Sequence, residues 1–266
     1  MTSARKDNSL ISIVIPVFNE ETGVQQLRDR LSGLRTLWEN EELEFVFVDD
    51  GSSDNTYSAL QSAFAADPLS RIVRHKSNMG VGAALRSGFA SCRGSLVCTI
   101  DADCSYGPEN LHRLVDALRK QSADVAVASP YHPQGSVEGV PGWRLVLSKS
   151  CSVLYGMIAP VRLYTYTSLF RAYRKEAVES VRFQENGFVC AAEFLIRAAE
   201  EGFSIVEVPM TLHTRKYGQT KMKVASTIHG HLRLMGATLF RRFPGTFRRD
   251  NRSTQISRNE GPYLNT

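Results

Sequence analysis

Two aspartates one residue apart, Asp101 and Asp103, directly follow the apolar run 96–100 and precede a helix start at Pro108-Glu109. Carboxylates so spaced on one turn can reach a single divalent ion. Mg²⁺ and Mn²⁺ prefer hard oxygen ligands and usually keep positions open for substrate phosphates. A solvated turn has the same residue pattern, so context decides. A second acidic pair, Asp49-Asp50, follows another apolar run, and Gly80 and Gly82 follow a third. Asp54, two residues before Thr56, reads as a helix cap. The glycines make no dinucleotide fingerprint, because Leu85 stands where a third glycine belongs, and no G-x-x-x-x-G-K-[ST] loop occurs. His75, His112, His132 and His213 show no partner pattern and are expected on the surface or in loops.

The elements that must position these residues alternate along the chain. Strand-like runs cover 11–16, 44–48, 71–74, 95–100 and 124–129, separated by helix-like stretches at 20–37, 55–66, 82–92 and 109–120 with apolar spacings of three and four. Strands separated by crossover helices predict a mostly parallel α/β sheet, whose ligands bind beyond the carboxyl ends of the strands. The residues just after each strand are therefore the candidates for chemistry. Beyond 129 the pattern predicts a Gly/Pro loop at 131–143, a helix at 144–157, a strand near 168–173, two helices, a strand at 205–209, a polar loop at 213–222 and a helix at 223–243.

Composition narrows the class. With 266 residues, 42% hydrophobic and 22% charged, the chain is long enough for one large α/β domain and is not predominantly disordered. Five cysteines, none in C-x-x-C, argue against a zinc cluster or a disulfide framework and for reduced thiols in the cytoplasm. Residues 1–9 do not read as a signal peptide, and no apolar run approaches the about 20 residues that span a bilayer. Charge is uneven. Between 208 and 249 lie nine Lys/Arg and no Asp or Glu, leaving 23 basic against 27 acidic residues elsewhere. This basic segment predicts an anionic partner. Nothing in it resembles a nucleic-acid recognition module.

The segments PVFNE (16–20), VDDGSSDNT (48–56), NMGVGAALRSGFASCRG (78–94) and TIDAD (99–103), in this order and spacing, resemble an inverting family-2 glycosyltransferase of the GT-A fold. GWRLVLS (142–148), TSLFRAYRKEAVE (167–179) and EVPMTLHTRKYGQTKMK (207–223) narrow the likeness to dolichol- and polyprenyl-phosphate mannosyl- or glucosyltransferases. The resemblance implies a GT-A catalytic domain over 10–212, a phosphate-binding loop with an amphipathic helix over 213–244, and disordered ends at 1–9 and 245–266. It implies that Pro16, Phe18, Glu20, Val48, Asp49, Asp50 and Gly80 bind a GDP- or UDP-sugar. Asp101, Ala102 and Asp103 would lie along its diphosphate, with Asp101 and Asp103 holding Mg²⁺ or Mn²⁺. Arg215 and Lys221 would close over the phosphates, and Glu193 would stand near sugar and acceptor. The implied reaction moves a hexose to a polyprenyl phosphate at the cytoplasmic membrane face. Metal, Arg and Lys stabilise the charge on the departing diphosphate. An ionised lipid phosphate needs little help from a base, in keeping with the lack of an obvious one.

Three segments depart from the family pattern. Pro130 stands where an Arg is common, 165–170 reads Thr-Tyr-Thr-Ser-Leu-Phe in place of D-x-x-S-G-F, and Ser105 replaces a common Gln. They leave open a soluble acceptor, or a catalytically inactive nucleotide-sugar-binding partner. Val224, Ile228, Leu232, Met235, Leu239 and Phe243 form one apolar stripe flanked by Lys223, Arg233, Arg241 and Arg242. Such a helix either packs on the catalytic domain or lies on an anionic membrane.

Overall fold

The computed structural model describes residues 10–38, 41–214 and 224–242. Arg215, Lys221, Phe243 and the two chain ends expected to be disordered lie outside the described residues.

The first half follows the expected alternation: β1 (Leu10–Val17), α1 (Val24–Ser32), α2 (Leu34–Leu37), β2 (Glu42–Asp49), α3 (Thr56–Phe64), β3 (Ser70–Arg74), α4 (Val81–Ser91), β4 (Leu96–Thr99), α5 (Leu111–Gln121) and β5 (Val125–Ser129). The helix expected over 20–37 starts only at Val24 and is divided at Gly33 into α1 and α2. Its first residues instead form a turn in which the Gly23 amide bonds the Glu20 carbonyl (2.9 Å). The second half contains β6 (Ser136–Glu138), α6 (Gly142–Ile158), β7 (Arg171–Arg174), α7 (Lys175–Ser180), α8 (Cys190–Glu200), β8 (Ile205–Pro209), β9 (Thr211–His213) and α9 (Val224–Arg242).

Seven strands form one sheet in the order β3-β2-β1-β4-β7-β5-β8. All pair in parallel except β7, which is antiparallel to both β4 and β5. A separate short sheet pairs β6 with β9. Alternation along the strands feeds two cores. Ile11, Ile13, Ile15 and Val17 of β1, with Leu43, Phe45 and Phe47 of β2, pack on one face with α1 and α5. Val14, Val46 and Val48 face the other way, toward α4, α6 and α8. Between them, fully buried Glu44 accepts hydrogen bonds from Ser12 Oγ (2.6 Å) and from Arg93 through Nε (2.6 Å) and the amide (3.0 Å). Burial alone pushes the Glu44 carboxyl up. The bonds from Ser12 and Arg93 outweigh it and hold the group below its ordinary value.

Candidate active site

The sheet order brings the carboxyl ends of β2, β1 and β4 side by side, with Pro16 opposite Val48 and Val17 opposite Asp49. The loops after β1 and β2 are stitched together. Asn19, in the left-handed region (φ 49°), donates its amide to Ser52 Oγ (2.9 Å) and accepts the Ser53 amide (2.8 Å). The Glu20 amide reaches Thr56 Oγ1 (2.7 Å), and Asp54, one residue ahead of the Asn55 cap of α3, accepts the Thr56 amide (3.0 Å) in place of the capping bond expected of it. Pro16, Phe18 and Glu20 remain part-exposed along this edge.

The acidic pair divides into two roles. Asp49 is fully buried; its Oδ1 accepts the Ser52 amide (3.1 Å), while Oδ2 has no hydrogen bond and lies 3.3 Å from Arg74 Nε. Asp50 is occupied inside the protein. Its Oδ1 takes His75 Nδ1 (2.7 Å) and the Met79 amide (2.9 Å), and its Oδ2 takes the Gly80 amide (2.7 Å). His75 Nε2 continues to Ser87 Oγ (2.9 Å). Asp50 anchors a turn through these three bonds, and His75, in the loop after β3, is a nearly buried partner in that anchor, with 9% of its side chain exposed. Val48 has its side chain wholly buried in the second core, which leaves its backbone for any contact with a ligand. Gly80 has φ 94°, and a Cβ there would come within 2.4 Å of the Asn186 carbonyl oxygen. Only glycine fits this close approach.

After β4 the chain turns through Asp101, Ala102 and Asp103, all half-buried. Ala102 packs on the first core, and Asp103 Oδ1 accepts the Ser105 amide (2.9 Å) and hydroxyl (2.8 Å). Cys104 follows with φ 51°, and burial pushes its thiol up to about 12. Among the described residues no three His, Cys, Asp or Glu form a complete metal cage. Two carboxylates on one turn fit a Mg²⁺- or Mn²⁺-type ion that takes its remaining ligands from water and substrate phosphates.

Asp101 and Asp103 form one end of a cavity of about 440 Å³. Its floor continues through Ser105, Tyr106, Pro130 and Tyr131. One wall is α6, with Arg144, Leu145, Ser148, Cys151 and Leu154; the facing wall is α9, with Thr227, Ile228, His231, Leu232 and Met235. Thr165, Thr167 and Ser168 close the back. Thr165 shares a hydroxyl bond with Ser129 (2.9 Å) and Thr167 with Ser148 (2.7 Å), while Glu207 grips the Tyr164 and Thr165 amides. The β6·β9 pair ends at the mouth. The His213 amide bonds the Ser105 carbonyl (3.1 Å), and His213 meets Glu138 (3.2 Å), so His213 also has a partner the sequence did not disclose. Thr214, the last described residue before Arg215, lines the same cavity as Asp101 and Asp103.

Glu193 does not line this cavity. It is buried, and its Oε2 accepts the Gln184 (2.9 Å) and Glu185 (2.8 Å) amides. It holds the loop that bears Asn186, whose carbonyl takes the Gly82 amide (2.7 Å), and Phe188, which does reach the cavity. Glu193, expected beside sugar and acceptor, here braces the loop that carries Phe188 to the cavity.

The α9 stripe is divided: Ile228, Leu232 and Met235 line the cavity, and Met235 also packs on the second core. The helix packs through Gly230, Leu234 and Thr238, whereas Ile228, Leu232, Leu239 and Phe240 are exposed. Helix α6 adds a second outward row: Trp143, Val146, Val153 and Met157. Sequence reading overlooked Arg144, His231 and this row, although Arg144 stood inside the GWRLVLS segment.

The Glycosyl transferase family 2 model matches residues 12–182, spanning the donor edge, the aspartate turn and α6. The chain belongs to glycosyltransferase family 2. It is 35% identical over 217 residues to polyprenol monophosphomannose synthase of Mycolicibacterium smegmatis, covering 79% of this chain and 80% of that protein. It is 33% identical over 227 residues to dolichol-phosphate mannosyltransferase of Pyrococcus furiosus, covering 84% of this chain and 62% of the relative. A crystal structure of glucosyl-3-phosphoglycerate synthase from Mycobacterium tuberculosis, with Mn²⁺, UDP and glucosyl-3-phosphoglycerate, superposes with a TM-score of 0.64 at 21% identity over 89% of this chain and 81% of that one. That likeness establishes the GT-A fold. This family-2 chain is a glycosyltransferase whose sheet is the mostly parallel α/β arrangement expected. No helix among the described residues is long and apolar enough to cross a membrane.

Proposed function

We propose that this glycosyltransferase moves a mannosyl group from a nucleoside diphosphate sugar to a polyprenyl phosphate at a membrane surface. One observation carries the reading: a single cavity runs from the Asp101/Asp103 turn into a trough between two helices whose outer faces are apolar and exposed. A phosphate head and a polyisoprenoid tail need that pairing of chemistries. The two mannosyltransferase relatives support the sugar and the lipid.

The donor's base is received at Asp49, whose buried Oδ2 lacks a hydrogen-bond donor and suits a base N–H. Two strand spacings, about 10 Å, separate β2 from β4, so a base at Asp49 sets its diphosphate at Asp101 and Asp103. These carboxylates would hold Mg²⁺ or Mn²⁺, which supplies charge stabilisation to the departing diphosphate. Arg215 and Lys221 close over the same phosphates from the segment that follows Thr214. Arg144, the cation of the cavity wall among the described residues, holds the acceptor phosphate. A phosphate oxygen bonds to the anomeric carbon from the face opposite the leaving group, the bond to the diphosphate oxygen breaks, and the configuration inverts. The acceptor is already ionised, so no base is needed, and Glu193 in a bracing role fits this.

The outer rows of α6 and α9 seat the enzyme on the bilayer. Here the structure changes the balance of forces. Arg233 and Arg241 pair with Glu185 and Glu200, and Arg242 bonds the Ile158 (2.9 Å) and Ala159 (2.7 Å) carbonyls. The cations of α9 fasten the helix, and apolar area supplies most of its membrane affinity.

The test is a radiochemical assay with GDP-mannose or UDP-glucose, a polyprenyl phosphate and Mn²⁺. Chelator-sensitive mannosyl transfer to the lipid is expected. Transfer to soluble acceptors alone would favour the second reading, for which Pro130 and the hydroxyl-lined back of the cavity are the support.

A further inference from the structure

We propose that His231 is a second contact for the acceptor's phosphate, donating a hydrogen bond from Nε2 across the cavity from Arg144. The inference rests on the polyprenyl-phosphate reading and adds to it a residue of this chain. Pro130 lines the cavity where the family commonly carries an Arg, so that side of the phosphate lacks its usual cation. Among the described residues Arg144 is the only Lys or Arg in the lining, and His231 lines the same cavity from α9.

The ring is fixed for this task. Its Nδ1 lies 3.0 Å from the Tyr155 hydroxyl, and the two rings meet edge-on at 5.8 Å. The other acceptor within reach of that hydroxyl, the His231 carbonyl, is farther, at 3.4 Å. A hydroxyl donating to Nδ1 leaves the imidazole proton on Nε2. Tyr155 is fully buried and burial pushes its hydroxyl up, so it remains a donor. The charged and titratable groups around the ring are few. Arg144 of α6, Asp101 and Asp103 of the β4 turn, His213 of β9, and Tyr106, Tyr131 and Cys151 share its cavity lining. Glu185 acts from the α7–α8 loop and is paired with Arg233 of α9 itself. Burial pushes the imidazole below its ordinary value, against a smaller opposing pull from Glu185, so the empty site holds it neutral. An entering phosphate dianion favours the imidazolium, so acceptor binding takes up a proton.

The experiment measures KM for farnesyl phosphate and for the nucleotide sugar from pH 6 to 8.5, in the wild type, His231→Gln and Tyr155→Phe. Glutamine keeps a neutral donor but cannot take a charge. His231→Gln therefore raises acceptor KM roughly ten- to a hundredfold at pH 6, the worth of one charge-assisted hydrogen bond. The ratio to wild type shrinks toward pH 8.5, and the acceptor's own ionisation cancels in it. Tyr155→Phe shows the opposite trend. It releases the tautomer, raising acceptor KM about three- to tenfold at pH 8.5 and less toward pH 6, where the phosphate-bound ring takes up a proton and both nitrogens become donors. Donor KM stays level throughout. A pH-independent effect, or acceptor and donor KM rising together, would overturn the proposal and leave His231 as a tie between α6 and α9. Wild type that ignores farnesyl phosphate would overturn the acceptor reading itself, an outcome visible without either variant.

Discussion

The donor edge and the acceptor trough are built by opposite means. At the donor edge nearly every polar group is answered by another: Asn19 by Ser52 and Ser53, Glu20 by Thr56, and Asp50 by His75, Met79 and Gly80. The trough lies between two helices, α6 and α9, joined by few bonds, such as Tyr155 to His231 and Arg242 to the end of α6. Preorganised dipoles suit a ligand whose charge changes during reaction, since they need not reorganise. A loosely tied apolar trough suits a tail recognised by area and not by direction.

The sharpest way to break the donor side is Asp103→Asn. Asparagine retains an oxygen for the Ser105 amide, so the turn should persist, with stability within roughly 0.5 kcal/mol of wild type. Losing one of two carboxylates at the metal is expected to lower kcat by about a thousandfold or more. Steady-state kinetics with Mn²⁺ alongside thermal melting checks both halves; wild-type turnover would remove the metal assignment.

Glu44→Gln probes the sheet that carries both regions. Glutamine weakens the bonds from Arg93 and Ser12 inside the protein, at an expected cost of about 2 kcal/mol at neutral pH. Because the Glu44 carboxyl sits below its ordinary value of 4.5 when folded, its contribution is present above that value. It is lost as pH falls through the folded one. The melting-temperature gap between wild type and variant should therefore close in acid. A gap that widens below pH 4.5 would contradict the assignment.

The smallest effect is expected on the trough's outer face. Changing Val146, Val153 and Met157 together to Ser removes exposed apolar area without touching the cavity lining. Co-sedimentation with anionic vesicles should fall about three- to tenfold, in keeping with partial burial of three side chains, while donor KM holds. Unchanged sedimentation would move the membrane contact away from α6.

The same contrast explains what could be read before the fold was seen. Asp101 and Asp103 were legible because the carboxyl end of a strand exposes the residues next in the chain, and β1 to β5 because their periods are clean. Helix α9 was legible as a stripe, but a stripe does not say which face packs. Gly230, Leu234 and Thr238 make the contact, and a sequence window cannot weigh a glycine's close approach to Val189. Asp50 and His75 are 25 residues apart, and nothing local marks their bond. The short run at Arg171–Arg174 reads as a strand in any orientation; its antiparallel place between β4 and β5 is a tertiary outcome. His231 looked like one polar residue on a helix until Tyr155 was seen beneath it.

That inserted strand also orders the assembly of the enzyme in time. β1 to β4 find all but one of their pairings among themselves, whereas β5 pairs only with β7 and β8, both later in the chain. Chains emerge from the ribosome amino end first. The nascent protein can therefore assemble the β1–β4 part of its sheet while β5 waits, unpaired and apolar, until residue 171 is made. During that interval the growing chain has an exposed sheet edge at β4, the place where a chaperone or a wrong neighbour would first find it.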